Sequence, residues 1–286
     1  MGFQRGLRRA GHGSGIKLTT MLVKDFKDKK VLIMGLGLHG GGEGSARFMV
    51  KAGARVLITD LKPEKELKSA LEKLSEFKNI KYVLGQHRSE DFKKADLIIK
   101  NPAVPDNSKY LEIARKNKIK IESNIGLFFE LCKAPIIGIT GSSGKSASAA
   151  LIYEVLKKKF QSVFWAGNLK TPILDILGEV KAGSLVILEL SALQLKMLEP
   201  HQKSPHLAIL TNVATENYQR VKDIIFKFQD EDDYLLVNKE LKDVEAKSQI
   251  IFYSGESQDA AQEVGKIFEV DQKDVQKAIG DYVKKP

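Results

Sequence analysis

The chain has 286 residues, enough to bury the cores of two domains. Hydrophobic content of 43% and charged content of 29% describe a soluble globular protein, and no apolar run reaches the length of a membrane span. The net charge of +10 raises nucleic acid as a partner, but lysines such as Lys62, Lys65, Lys68 and Lys73 alternate with glutamates and no aromatic-rich basic stretch offers a stacking surface, so neither nucleic acid nor a membrane is expected as a partner.

Residues 1–20 carry Arg5, Arg8 and Arg9, several glycines and no acid. They lack the apolar centre of a signal peptide. They read as an over-extended or disordered start, and Met21 opens more ordinary sequence. Residues 30–34 form a short apolar strand that runs into Gly35-Leu36-Gly37-Leu38-His39-Gly40, with a helix following to about residue 52. A strand at 54–59 ends in Asp60. This is a βαβ unit with a glycine-rich first turn and an acid after the second strand. A lysine- and glutamate-rich helix (63–77), strands at 80–84 and 96–100, a turn at 101–105, a helix at 108–116 and a strand at 119–122 complete the first set. Alternating strands and helices predict a doubly wound parallel sheet, and residues 21–133 are expected to form a Rossmann-like domain. The lone cysteine, Cys132, excludes an intrachain disulfide and fits a reducing cytosol; a buried core thiol is the bland reading of it and a catalytic thiol the sharp one.

A second α/β unit, residues 134–286, starts with an apolar strand at 134–139. It runs into Gly138-Ile-Thr-Gly141-Ser142-Ser143-Gly144-Lys145-Ser146, and a helical pattern follows over 147–159. Strand, glycine turn and helix are the context a phosphate-binding loop needs. Glycines turn backbone N–H groups toward phosphates, and the helix N-terminus adds partial positive charge. Lys145 can reach terminal phosphates and the Ser146 hydroxyl can ligate Mg²⁺. Ile139 stands where the longer phosphate-loop spacing has glycine, so this is the shorter form, Thr-Gly-x-x-Gly-Lys-Ser. Further strands are expected at 162–166, 185–190 and 207–211, the last ending in Asn212. An apolar stretch at 224–228, an acidic cluster at 230–233, a strand at 250–253 and two helices (259–268 and 273–283) follow.

Gly-x-Gly-x-x-Gly alone would suggest a nicotinamide or flavin oxidoreductase. A phosphate loop a hundred residues later argues for two phosphorylated ligands instead, a nucleotide-linked substrate and ATP. Glu189 closes a run of apolar residues at a strand end, the place of a metal-binding carboxylate. Asn168 reads equally as a turn residue and as a ligand, and His39 as a turn-surface residue or a phosphate contact.

Four segments in order resemble the muramyl ligases of peptidoglycan synthesis, most closely the D-glutamate-adding members. They are the glycine turn with Asp60, the loop Thr140 to Ser146, Gly167-Asn168-Leu-Lys-Thr-Pro172, and Glu189-Leu-Ser191-Ala-Leu-Gln194. Thr211-Asn212-Val213 is a weaker fifth match. The resemblance implies a Rossmann-like N-terminal domain, a shortened phosphate-loop central domain, and a third α/β domain that this chain lacks. It implies ATP and Mg²⁺, with UDP-N-acetylmuramoyl-L-alanine and D-glutamate as substrates, in the cytoplasm. The terminal alanine carboxylate would be phosphorylated and the D-glutamate amine would attack the acyl phosphate. The resemblance gives the UDP-linked substrate to Gly35, Leu36, Gly37, Leu38, His39, Gly40, Asp60, Asn168, Ser191 and Gln194. It gives ATP to Gly141, Ser142, Ser143, Gly144, Lys145 and Ser146. Lys145, Glu189 and Asn168 become the catalytic set, and Ser146 and Glu189 the metal ligands.

The chain departs from the family at several points. Where the family has Asp-His, this chain has Glu216-Asn217, so Asn217 is a weaker candidate metal ligand. Lys222 matches the family's carbamylated metal-site lysine by its downstream context, but the loop before it is almost gone, and a solvated lysine is an equal reading. Ala147 replaces a second hydroxyl, and the family's His-Asn segment for adenine has no counterpart at 253–259. The resulting alternatives to an active ligase are a non-catalytic nucleotide or UDP-sugar binding remnant, or one part of a split enzyme whose third domain a separate chain supplies.

Overall fold

Short runs of chain become parallel strands, eleven among the described residues, as expected where helices cover both faces of a sheet. The structure is a computed structural model that describes residues 23–38, 40–167, 171–212, 221–241 and 244–284. Contacts divide the chain into two compact units, one of which takes residues 171–178 together with 23–132.

In that first unit the strands are β1 (Lys30–Met34), β2 (Arg55–Asp60), β3 (Lys81–Leu84), β4 (Leu97–Lys100) and β5 (Lys120–Ser123). They pair in the order β3-β2-β1-β4-β5, all parallel. The order reverses beside β1, which places the turn after β1 at the switch point where such sheets bind ligands. The helices are α1 (Gly41–Lys51), α2 (Glu64–Glu72), α3 (Ser89–Lys94), α4 (Lys109–Lys116) and α5 (Asn124–Leu131). α2 stops short of the residue 77 expected from sequence, and α3 and α5 are helices that the sequence pattern does not mark. Ser123 caps α5 by accepting from the Gly126 N–H. Leu32, Met34, Phe92, Ile98 and Leu111 are among the core residues. Cys132, expected in the core, is half-buried beyond α5.

In this unit, residues 171–178 lie along α1. Arg47 of α1 grips Asp175 through two bonds, Nε to Oδ1 at 3.0 Å and Nη2 to Oδ2 at 2.5 Å. A Cβ on Gly44 would stand 2.5 Å from Pro172, so the absence of a side chain there permits the approach.

The second unit holds β6 (Ile136–Thr140), β7 (Val163–Ala166), β8 (Leu185–Glu189), β9 (Leu207–Leu210), β10 (Tyr234–Asn238) and β11 (Gln249–Tyr253). The order is β11-β10-β9-β6-β8-β7, again all parallel. The strand that leads into the phosphate loop is therefore central. β6, β8 and β9 are buried at every residue. Helices α6 (Lys145–Leu156), α7 (Ala192–Leu198), α8 (Ser257–Ile267) and α9 (Gln272–Val283) belong to this unit. Ile139, Ile152, Val155, Ile187, Leu236 and Val264 are among its core residues. β10 was not foreseen, because the acidic cluster before it masked a run of only five residues. No helix among the described residues is long and apolar enough to cross a membrane.

Candidate functional site

Each unit builds its turn in the same way. Gly35, Gly37 and Gly40 have φ of 88, 64 and 80°, conformations that residues with a Cβ avoid. Gly40 is the N-cap of α1 with no side-chain cap, and Gly144, at φ 80°, is the N-cap of α6 with none either. No capping side chain takes up the first helical N–H groups, which is the arrangement that suits an anion.

In the first unit the Asp60 carboxylate is 8% exposed and accepts from the Gly37 N–H (3.1 Å) and the Lys62 N–H (2.9 Å). It thereby shapes the glycine turn. Leu36, a predicted contact, is fully buried, and Leu38 is 48% exposed. His39 lies outside the described residues. His87, which the sequence did not single out, sits beside this turn's acid. Its Nδ1 is 2.7 Å from the Thr59 hydroxyl, and burial pushes its pKa below the usual histidine value.

In the second unit the loop is closed by hydrogen bonds. The Ser142 and Ser143 N–H groups both donate to the Asn212 Oδ1, at 2.8 and 2.9 Å. The Asn212 amide donates to the Ser143 hydroxyl at 2.6 Å, and the Thr211 hydroxyl donates to the Ser143 carbonyl at 2.7 Å. Lys145 Nζ donates to the Gly141 carbonyl at 2.8 Å. A Cβ on Gly141 would stand 1.8 Å from the Thr211 hydroxyl, so the loop and the end of β9 approach as only glycine allows. Ser146 Oγ donates to Glu189 Oε2 at 2.5 Å, and Trp165 Nε1 donates to Glu189 Oε1 at 2.9 Å.

Lys222 is brought to this loop. It is 3% exposed, and its Nζ donates to the Ser142 hydroxyl at 2.9 Å and to the Asn212 carbonyl at 3.4 Å. The solvated-lysine reading is thereby overturned. Burial, and then the neighbouring Lys145 ammonium, push its pKa below the usual lysine value. Asn168 and Asn217 lie outside the described residues. Ser191 and Gln194 face each other in a capping box on α7: the Gln194 Oε1 accepts from the Ser191 N–H (2.9 Å) and the Ser191 hydroxyl accepts from the Gln194 N–H (3.3 Å). Their side chains cap the first turn of α7. A separate groove of about 1040 Å³, lined among others by Lys196, Asp223, Phe226, Lys227 and Lys247, contains no predicted site residue.

The donors suit Mg²⁺. Ser146 and Glu189 supply hard oxygen atoms side by side next to a phosphate loop. Mg²⁺ takes one or two carboxylates, phosphate oxygens and water. Among the described residues no group of three His, Cys, Asp or Glu forms a fuller cage. Ser146 can use its lone pairs for the metal while its hydroxyl still donates to Glu189, and loop amides that already converge on one oxygen can converge on a phosphate oxygen.

Fold and loop define a protein of two parallel α/β units, the second built around a phosphate-binding loop. Comparison with known proteins makes this particular. Residues 29–123 match the model of the Mur ligase MurD-like N-terminal domain, and residues 139–281 match that of the Mur ligase middle domain. The chain belongs to the Mur ligase family. It is 42% identical over 192 residues to the UDP-N-acetylmuramoylalanine--D-glutamate ligase of Roseiflexus sp. (strain RS-1), covering 67% of this chain and 41% of that protein. It is 43% identical over 198 residues to the enzyme of the same name from Borreliella burgdorferi (strain ZS7), covering 69% and 43%. The chain thus spans about half the length of the curated relatives it matches. The fold is similar to that of the UDP-N-acetylmuramate:L-alanyl-gamma-D-glutamyl-meso-diaminopimelate ligase from Neisseria meningitides. The TM-score is 0.63 at 14% identity, covering 88% of this chain and 98% of that one. The UDP-N-acetylmuramate-alanine ligase from Thermotoga maritima gives 0.56 at 18%, covering 87% and 67%.

Proposed function

We propose that this chain forms the substrate- and ATP-binding part of a ligase that adds D-glutamate to UDP-N-acetylmuramoyl-L-alanine in the cytoplasm. The observation that carries the reading is the convergence of Ser146 on Glu189 beside the loop of Ser142 to Lys145. The similarity to D-glutamate ligases across both units supports the choice of substrate.

In this reading the turn at Gly35 to Gly40 binds the UDP diphosphate through its backbone and the α1 N-terminus, with Asp60 holding the turn's shape. The loop amides and Lys145 bind the ATP phosphates. An oxygen of the alanine carboxylate attacks the γ-phosphorus and ADP leaves, giving an acyl phosphate. The amine of D-glutamate then attacks the acyl carbon, the C–O bond to phosphate breaks, and an amide and inorganic phosphate result with loss of the amine proton. Lys145 offsets the charge that grows on the transferred group, and holding the reactants in line supplies the entropic share of the rate. Ser146 and Glu189 would hold Mg²⁺, which when bound neutralises phosphate charge. Lys222, buried with a lowered pKa beside Ser142, has more of the neutral amine that carbamylation requires. Asn168 and Asn217 complete the proposed set.

Calorimetry tests this with the full chain, using UDP-N-acetylmuramoyl-L-alanine and an ATP analogue with Mg²⁺, each alone, and Lys145→Ala as control. Binding of both, with loss of only the nucleotide in the control, is expected. Binding of the UDP substrate alone would leave a remnant with one working unit, and binding of neither would end the ligase reading.

A further inference from the structure

Glu189 stands at the end of β8, 5% exposed, with a side-chain donor on each carboxylate oxygen. One donor, Ser146, belongs to the phosphate loop. The other, the Trp165 indole, has no place in the motifs that led to the site. Its geometry follows from the sheet. Trp165 pairs with Ile187 across the parallel β7–β8 ladder. Ile187 and Glu189, two apart, share a face of β8, so the indole leans along the sheet to the carboxylate. Gly167 lets the two strand ends close: it has φ 90°, and a Cβ there would stand 2.4 Å from the Glu189 carbonyl. The other side of the indole meets Tyr153 of α6, ring centroids 6.2 Å apart. Trp165 therefore connects the helix that follows the phosphate loop to the carboxylate that faces it.

An indole N–H is a donor only. It can hold a carboxylate oxygen in place but cannot ligate a cation. A bond to an ionised acceptor is stronger than a neutral one and directional. We propose that Trp165 is a positioning residue for the magnesium–nucleotide site: by holding Oε1 of Glu189 it turns Oε2 toward Ser146 and the metal. This rests on the nucleotide reading above. Trp165 is also the single tryptophan of the chain, so its emission reports directly on this carboxylate.

The test uses the full chain and a non-hydrolysable ATP analogue, with Mg²⁺ and then with EDTA, followed by calorimetry and indole emission. The wild type is expected to show a saturable emission change with Mg²⁺ whose midpoint matches the calorimetric one. Trp165→Phe keeps a ring against Tyr153 and removes only the donor. It should bind the magnesium complex about tenfold more weakly, the usual scale for losing a partner of a metal ligand. It should bind the metal-free analogue like the wild type. An equal loss with and without Mg²⁺, or no loss, would overturn the proposal. So would wild-type emission that ignores saturation, which decides the matter even if the variant folds poorly. Failure of the wild type to bind the analogue at all would sink the nucleotide reading and this role together. Normal wild-type binding with an unaffected variant would sink this role alone.

Discussion

Asn212 Oδ1 takes up the Ser142 and Ser143 N–H groups that the proposed phosphate site would use, so removing it should loosen the loop and tighten nucleotide binding. Its carboxamide makes three bonds to the loop, at 2.8, 2.9 and 2.6 Å. Ser142 and Ser143 are exposed, so water takes over from the lost partners and each bond is worth the low end of about 0.5–1.5 kcal/mol. Asn212→Ala should then cost about 1.5 kcal/mol and lower the melting temperature by about 4 °C. Nucleotide binding should respond in the opposite direction. In the wild type a phosphate oxygen must displace Oδ1 before it gains the two N–H donors; in the variant it does not. A gain of up to about tenfold in affinity for the magnesium complex of an ATP analogue is expected, equivalent to about 1.4 kcal/mol. Asn212→Asp should do the reverse, because a fixed carboxylate competes as an anion. Calorimetry beside a thermal melt reads both quantities. If affinity falls together with melting temperature in Asn212→Ala, Asn212 builds the loop's binding shape instead of occupying it, and the reasoning fails.

Lys145→Ala should reduce affinity for the same complex by about a hundredfold or more, the scale of losing a charged phosphate contact, while the melting temperature stays close to wild type; unchanged affinity would remove Lys145 from the phosphate site. Gly167→Ala places a Cβ 2.4 Å from the Glu189 carbonyl at φ 90° and should cost about 3 kcal/mol in a denaturant titration, from strain and overpacking together. A wild-type midpoint would show that the β7 and β8 ends do not close as described. Burial pushes the Asp233 carboxyl up to about 7. Between the ordinary carboxylate value near 4 and about 7 the folded chain then binds the extra proton, so this group's contribution to stability falls as pH rises through that window and is flat above it. Asp233→Asn should remove that slope in melting temperatures taken from pH 4 to pH 8, and a retained slope would assign it to other groups.

Much of the candidate site was legible because its chemistry is local in sequence. The glycines, Lys145 and Ser146 lie within one loop, and strand and helix patterns bracket it. Glu189 was readable as an acid after the four apolar residues Leu185 to Leu188. Trp165 was not, because its neighbour on the next strand is set by β7–β8 register, which no local pattern encodes. Lys222 was left between two readings for a related reason. A lysine in sequence carries no mark of burial, and here the fold brings it to a loop eighty residues earlier. For Leu36, Ser191 and Gln194 the motif position carried no sign of what the fold adds, burial of the first and a capping box between the other two.

The sequence by itself determined the class of fold and the two glycine turns, because hydrophobic periodicity and positive-φ glycines are properties of single residues and their near neighbours. It also ordered the motifs that place the chain in its family. Only the tertiary structure decided which side chains meet: that Asn212 fills the loop, that Lys222 is buried against it, and that an indole from an edge strand holds Glu189. Those contacts join residues 24 to 80 positions apart. Their existence depends on strand order and register, which come from packing the whole sheet.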